Sequence, residues 1–178
     1  MRIGQTLMDV YKRMLRQYGK QHWWPAGTQF EVMVGAVLTQ SATWSNVEKA
    51  MASLNAAGAL SPKALRCLPL EQLAQLVYSS GYFNDKSRKL KALAEYLYRR
   101  FQDDIGIMAQ EETESLREEL LSVYGIGEET ADAILLYALG KPIFVIDSYT
   151  RRIFSRLSVG PKVKRYSTYQ HFFTHNLP

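Results

Sequence analysis

The chain has 178 residues, 47% of them hydrophobic, with a formal net charge of +5. That length suits one large domain or two small ones sharing a core, and that apolar content excludes a disordered chain. A single cysteine, Cys67, excludes a disulfide framework and a cysteine-only metal site and fits a reducing compartment, while residues 1–20 mix charged and apolar groups from the start, which argues against a signal peptide or a membrane span.

The predicted elements are helical nearly throughout. In residues 7–18, Leu7, Val10, Tyr11, Met14, Leu15 and Tyr18 share one face at three- and four-residue spacing. After the turn-rich junction "GKQHWWPAGT" (19–28), residues 30–40 are apolar all round and predict a buried helix. The segment 45–58 opens on a capping pattern, Ser45 with Glu48 three residues on, and closes at Gly58. Further amphipathic segments occupy 70–80 and 84–101, and the segment 113–125 runs into a pair of glycines, Gly125 and Gly127. A helix over 128–139 follows, stopped by Gly140–Lys141–Pro142, and segments 146–157 and 166–177 come last. Only "PIFVID" (142–147) has strand composition, and it is too short to build a sheet. The pattern predicts an all-α protein of about ten short helices.

Charge is distributed unevenly along these elements. Residues 103–132 carry ten acidic groups against one Arg, whereas residues 141–178 carry seven basic groups against Asp147 and residues 85–100 six basic groups against two acidic. Basic surfaces flanking a central element suit a polyanion such as nucleic acid, although solvated helix faces produce similar runs.

Two features point to chemistry. In "VYGIGEETADAILL" (123–136), glycines two apart permit positive φ and leave no Cβ above the backbone, and a helix starts at once. Main-chain N–H groups at the positive end of such a helix can hold a phosphate without reading sequence, though an ordinary glycine turn has the same pattern. In "FVIDSYTRRIF" (144–154), Asp147 follows an apolar run and precedes a basic helix. It can cap that helix, and a carboxylate in a cleft can also activate water or stabilise a cationic transition state.

Residues 120–157, together with "FEVMVGAVLTQSATWSNVEKA" (30–50) and "SGYFNDKSRKLKALAEYL" (80–97), resemble the helix–hairpin–helix and Gly/Pro–Asp loop of the endonuclease III superfamily (HhH-GPD) of DNA glycosylases. The resemblance covers nearly the whole chain. It implies two helical domains with a DNA-binding cleft between them. One is a six-helix barrel over 25–140 with the helix–hairpin–helix at about 114–139. The other joins residues 1–24 to 141–178. By that resemblance Gly125, Ile126 and Gly127 grip phosphate, and carbonyls of Leu121, Val123 and Ile126 match those that hold Na+ or K+. Asp147 is the catalytic aspartate, and Gln40 and Ser41 probe the gap left by a flipped base. Lys86, Arg88, Lys89, Arg151 and Arg152 would hold further phosphates.

Bifunctional members carry a Lys nucleophile two residues beyond the second hairpin glycine; here that position is Glu129. A carboxylate forms no imine, so the resemblance implies a monofunctional, water-using enzyme. Glu128 and Glu129 complement the helix dipole, yet they repel a nearby phosphate, which the basic segments must outweigh. Trp23, Trp24 and Pro25, with Trp44 after the Gln40–Ser41 loop, are similar to the aromatic base pocket of the 3-methyladenine glycosylases. π faces attract the positive charge of an alkylated purine.

The chain departs from the family at its end. Members usually continue past the equivalent of "HFFTHNLP" (171–178) with four cysteines for a [4Fe–4S] cluster, and those ligands are absent from this sequence. The expectation is therefore a second domain that is C-terminally incomplete and has no cluster. The reading at this point is a cytoplasmic, nucleoid-associated, monomeric base-excision-repair enzyme, partnered by double-stranded DNA with a damaged base and not by a membrane. Two alternatives stay open. One is an endonuclease III-like glycosylase/AP lyase for oxidised pyrimidines using another amine, and the other is a non-catalytic DNA-binding module.

Overall fold

The computed structural model describes residues 3–21 and 24–178. Among the described residues the chain is helical and has no strand, and it divides into two compact units, Met1–Pro25 with Ile143–Pro178, and Ala26–Pro142. No helix among the described residues is long and apolar enough to cross a membrane. Helix α1, Ile3–Tyr18, belongs to the smaller unit.

The larger unit runs through α2 (Gln29–Leu38), α3 (Trp44–Ala56), α4 (Pro62–Cys67), α5 (Leu70–Leu76), α6 (Phe83–Phe101), α7 (Ile105–Gln110), α8 (Thr113–Ser122) and α9 (Glu128–Ala133). Helix α2 is its axis: Phe30 and Val32 through Leu38 are all buried. Packed around it are α3, α6, α9 and a π-type turn, Ile134–Ala138, that continues α9. In that turn Leu139 N–H reaches back five residues to the Ile134 carbonyl at 3.2 Å. Such single π turns interrupt otherwise regular helices, and nothing in the apolar run 134–139 announces one.

Side chains set most helix starts. Thr28 caps α2, its hydroxyl accepting from Glu31 N–H at 3.2 Å, while the Glu31 carboxylate accepts from Gly27 N–H at 3.0 Å. Ser61 caps α4, with Pro62 in the first turn, and Asp104 and Glu112 cap α7 and α8. The capping pattern expected from Ser45 and Glu48 is not formed. Helix α3 begins two residues earlier, with Thr43 rather than Ser45 as its N-cap, which places Ser45 inside the first turn. Glu48 instead accepts the indole N–H of Trp44, four residues back, at 3.0 Å. The short helices α4 and α7 are additions to the elements read from the sequence.

The smaller unit adds α10 (Ser148–Arg156) and α11 (Tyr166–Asn176) to α1. Its core is Leu7, Ile146, Phe154, Tyr166, Tyr169 and Phe173. Phe144 stacks on Phe173 with ring centroids 4.5 Å apart and planes 4° from parallel. The strand-like segment before Asp147 is an extended stretch pinned by α11. Ile146 N–H donates to the Tyr166 hydroxyl at 3.2 Å, and the Gln170 amide donates to the Phe144 carbonyl at 3.0 Å.

Candidate nucleic-acid interface and catalytic carboxylate

In the larger unit, α8 and α9 are joined by the five residues Val123–Gly127. Ile126 N–H closes the turn on the Val123 carbonyl at 3.1 Å, and buried Ile126 anchors it to the core. The two glycines have different reasons to be there. Gly125 sits at φ +77°, and a Cβ on it would lie 2.2–2.6 Å from the methylenes of Lys89. A side chain there would be strained by the backbone and would have to displace Lys89. Gly127 has an ordinary extended conformation, and a Cβ there would meet nothing within 4 Å. No neighbour within its unit demands that this second glycine be bare.

Around the turn, hydrogen bonds form a closed ring. Tyr124 OH donates to Asp85 Oδ1 at 2.9 Å, and Lys89 Nζ contacts Asp85 Oδ2 at 2.7 Å and donates to Gln40 Oε1 at 2.8 Å. Gln40 Nε2 then donates to the Gly125 carbonyl and to Thr130 Oγ1, each at 3.0 Å. The bond from Lys89, and then that from Tyr124, hold the Asp85 carboxyl below its usual range. Gln40 is thus occupied at both ends of its amide and is not displayed as a probe. Ser41, next to it, is exposed with φ +52°.

The expectation that Lys86 holds a DNA phosphate is overturned. Lys86 is 1% exposed, and its ammonium donates to the carbonyls of Leu38 at 2.8 Å and Ser80 at 2.6 Å. It ties the last turn of α2 to the start of α6, and its charge faces protein on every side. Burial first, and the Lys89 charge second, pull its pKa from 10.5 down to about 8. An unfolded chain therefore binds more protons than the folded one between those values, so this group adds stability as pH rises from about 8 to 10.5. Against a Lys86→Met variant, the unfolding free energy of the wild type should gain roughly 2–3 kcal/mol across that window in denaturant titrations. A difference independent of pH would contradict the assignment.

Part of the acidic run around the hairpin is paired with arginines. Arg117 on α8 meets Asp132 on α9, Nε to Oδ1 at 2.6 Å and a second guanidinium nitrogen to Oδ2 at 3.3 Å, and Asp132 is fully buried. Arg66 pairs with Asp103 at 2.8 Å, and Arg100 reaches Glu111 at 3.0 Å and Glu119 at 3.2 Å. Tyr96 OH donates to Glu119 at 2.9 Å, and burial, then that bond, push its pKa up. Glu128 is half-buried and Glu129 exposed in the first turn of α9. The repulsion expected from the raw charge count is thus reduced by arginines, two of them from outside the acidic segment.

In the smaller unit Asp147 is half-buried and caps α10, its Oδ1 accepting from Thr150 N–H at 2.7 Å. Its Oδ2 makes no hydrogen bond among the described residues, so a capping role leaves one carboxylate oxygen for other chemistry. Arg151 donates to the Lys164 carbonyl at 2.9 Å and lies near the rings of Tyr166 and Tyr169. Arg152 is exposed and rests over the Tyr149 ring at 4.8 Å. Arg88, in the larger unit, is exposed on α6.

Of the aromatic residues, Trp44 and Trp24 are half-buried and Pro25 is exposed; Trp23 lies outside the described residues. Sequence reasoning passed over Tyr82, 74% exposed at φ +46° just before α6, and Tyr124, 55% exposed on the hairpin. It also passed over Asp132, which is buried on α9 together with Thr130, Ala131 and Ala133. The one cysteine, Cys67, is exposed at the end of α4. A [4Fe–4S] cluster needs several thiolates, so the residues present do not fit one.

The family model for HhH-GPD superfamily base excision DNA repair proteins matches residues 34–177, a span that contains both the hairpin and Asp147. A Methanocaldococcus jannaschii protein provisionally named a DNA repair glycosylase is 39% identical over 175 residues, covering 98% of this chain and 80% of its own. Endonuclease III of Sulfolobus acidocaldarius is 28% identical over 144 residues, 79% of this chain and 62% of that enzyme. Among solved structures, Helicobacter pylori 3-methyladenine DNA glycosylase bound to 1,N6-ethenoadenine has a TM-score of 0.84 at 32% identity, covering 99% of this chain and 82% of its own. A trapped endonuclease III–DNA covalent intermediate also has a TM-score of 0.84, at 21% identity over 98% of this chain and 78% of its own, which bears on the fold alone. The chain belongs to the HhH-GPD superfamily of base excision DNA repair proteins.

Proposed function

We propose that the chain is a monofunctional DNA glycosylase that takes a damaged base of the alkylated-purine class out of duplex DNA and hydrolyses its N-glycosidic bond with water. The observation that carries this reading is the pair of carboxylates after Gly127: Glu129 is exposed where an imine-forming enzyme of the family needs an amine. The other lysines near the hairpin do not replace it. Lys86 is buried on two carbonyls, and Lys89 is bonded to Asp85 and Gln40. Asp147 then orients water and stabilises the cationic sugar as the bond to the base breaks.

Supporting a DNA partner is the bare surface over Gly127, which leaves the amides at the start of α9 approachable by a phosphate. Gly127→Ala should therefore leave the melting temperature unchanged and weaken duplex binding roughly tenfold. Equal affinity in a fluorescence titration would remove the hairpin from the interface. Arg88 and Arg152 add exposed positive charge, and exposed Ser41 is the candidate for entering the gap. The carbonyls of Leu121 in the last turn of α8 and of Val123 and Ile126 in the turn that follows are neutral oxygen donors of the kind a Na+ or K+ ion takes. Bound there, such an ion would add positive charge beside the phosphate.

For the substrate, Trp24 in the smaller unit and Trp44 in the larger are each half-buried aromatic side chains of the kind whose π face attracts a cationic base. The 32% identity to a 3-methyladenine glycosylase over nearly the whole chain favours the same class. The second reading, a glycosylase/lyase for oxidised pyrimidines, draws on the endonuclease III relatives. The two separate when free base is measured from parallel duplexes carrying 3-methyladenine and thymine glycol. Release from the first and not the second supports the proposal; the reverse result replaces it with the alternative.

A further inference from the structure

We infer that Lys89 is a positioning residue that sets the conformation of the Val123–Gly127 turn, and not a ligand of phosphate. The inference rests on the proposed reading of that turn as the element that grips the DNA backbone. A phosphate-binding lysine is a mobile, solvated point charge. Lys89 is the opposite: its side chain is 18% exposed and its ammonium is held by Gln40 Oε1 and Asp85 Oδ2 at 2.8 and 2.7 Å. Its methylenes lie where a Cβ on Gly125 would be, so the stem is the floor on which the left-handed residue of the turn rests.

The connectivity gives this contact its consequence. From Lys89 the path runs through Gln40 to the Gly125 carbonyl, and in the other direction through Asp85 to the Tyr124 hydroxyl. Tyr124 and Gly125 are adjacent in the chain, so the ring is closed by a peptide bond. Both the carbonyl of Gly125 and the side chain preceding it are fixed relative to α6 by one ammonium group. Peptide rotation at Gly125, which glycine otherwise permits cheaply, would break the Gln40 bond on one side or the Asp85 bond on the other. The amides that follow, at Ile126 and Gly127, take their directions from that peptide.

Lys89→Met is the informative variant, because it keeps the stem over Gly125 and removes only the ammonium. Tyr124→Phe is a second, milder cut in the same ring, at a half-exposed residue that leaves the core intact. Binding to a duplex with a tetrahydrofuran abasic analogue is measured over a range of salt, together with hydrogen exchange at the Ile126 amide. Lys89→Met should weaken binding roughly tenfold with an unchanged salt slope and speed Ile126 exchange roughly tenfold. Tyr124→Phe should move both in the same direction by less, and the double variant should match Lys89→Met, since an open ring cannot be opened twice. A salt slope reduced by about 0.9 with Ile126 exchange unchanged would make Lys89 a phosphate ligand and overturn the inference. Unchanged affinity in Lys89→Met would overturn it too, as would unchanged Ile126 exchange in Tyr124→Phe should the Met variant not fold. In those cases the hairpin's role in binding stands. A wild-type chain that fails to bind the duplex at all would remove that role, and this inference with it.

Discussion

Asp147→Asn should reduce the rate of base release roughly a hundredfold to ten-thousandfold while leaving the fold and the affinity for lesion duplex within a few-fold of the wild type. The substitution separates the capping seen in the structure from the proposed catalysis. As N-cap of α10, Asp147 uses Oδ1 to accept from Thr150 N–H at 2.7 Å. Asn caps as well as Asp, so α10 keeps its first turn and the smaller unit its core. What Asn lacks is the negative charge, which in the proposed reaction stabilises the sugar cation and orients the attacking water. The check is single-turnover base release beside a thermal melt. A variant that melts normally and still releases base at the wild-type rate would show that Asp147 is a cap and nothing more.

The largest effect on stability is expected at Arg117 and Asp132. Asp132 is fully buried and its partner largely so, and the two link α8 to α9 directly behind the hairpin. Removing one partner leaves the other charged and buried. Asp132→Leu or Arg117→Met should each cost on the order of 3–5 kcal/mol in chemical denaturation. Combining them should recover part of that loss, because two apolar side chains of similar volume need no counter-charge. Additive losses in the double variant would mean that other partners, not this pair, hold the two residues.

How much of this was readable in the sequence differs from element to element. Helix α2 was plain because residues 32–38 are apolar on every side, which only a central helix tolerates. The hairpin was plain because two glycines interrupt a helical period, and the helix that follows carries its own apolar face. The capping role of Asp147 was readable from its place between an apolar run and a basic helix. Helix α4 left a signal in Ser61 followed by Pro62, a cap and a first-turn proline, that went unread. Lys86 left one as well: it lies at helical spacing with Leu90, Leu93 and Leu97, all on the buried face of α6. Its place on the apolar stripe marks it as interior, and only its charge suggested a surface role. The pairing of the acidic run could not be read, because Arg66 and Arg100 come from outside it. The ring around Gly125 was equally hidden, since Gln40, Asp85, Lys89 and Tyr124 meet across up to 85 positions of sequence. Local pattern identifies elements and caps; partners that are distant in sequence are fixed only by the packing.

The most direct measurement is a single-turnover reaction on a duplex with one 3-methyladenine, its strands resolved before and after hot alkali. A water-using glycosylase with Glu129 in place of an amine leaves an abasic strand, which should stay intact until alkali cleaves it, with no protein–DNA adduct on borohydride treatment. A strand that survives alkali shows that no base was released. A strand already nicked before alkali, with a borohydride-trapped adduct, shows amine chemistry, and either result would contradict the proposed reaction.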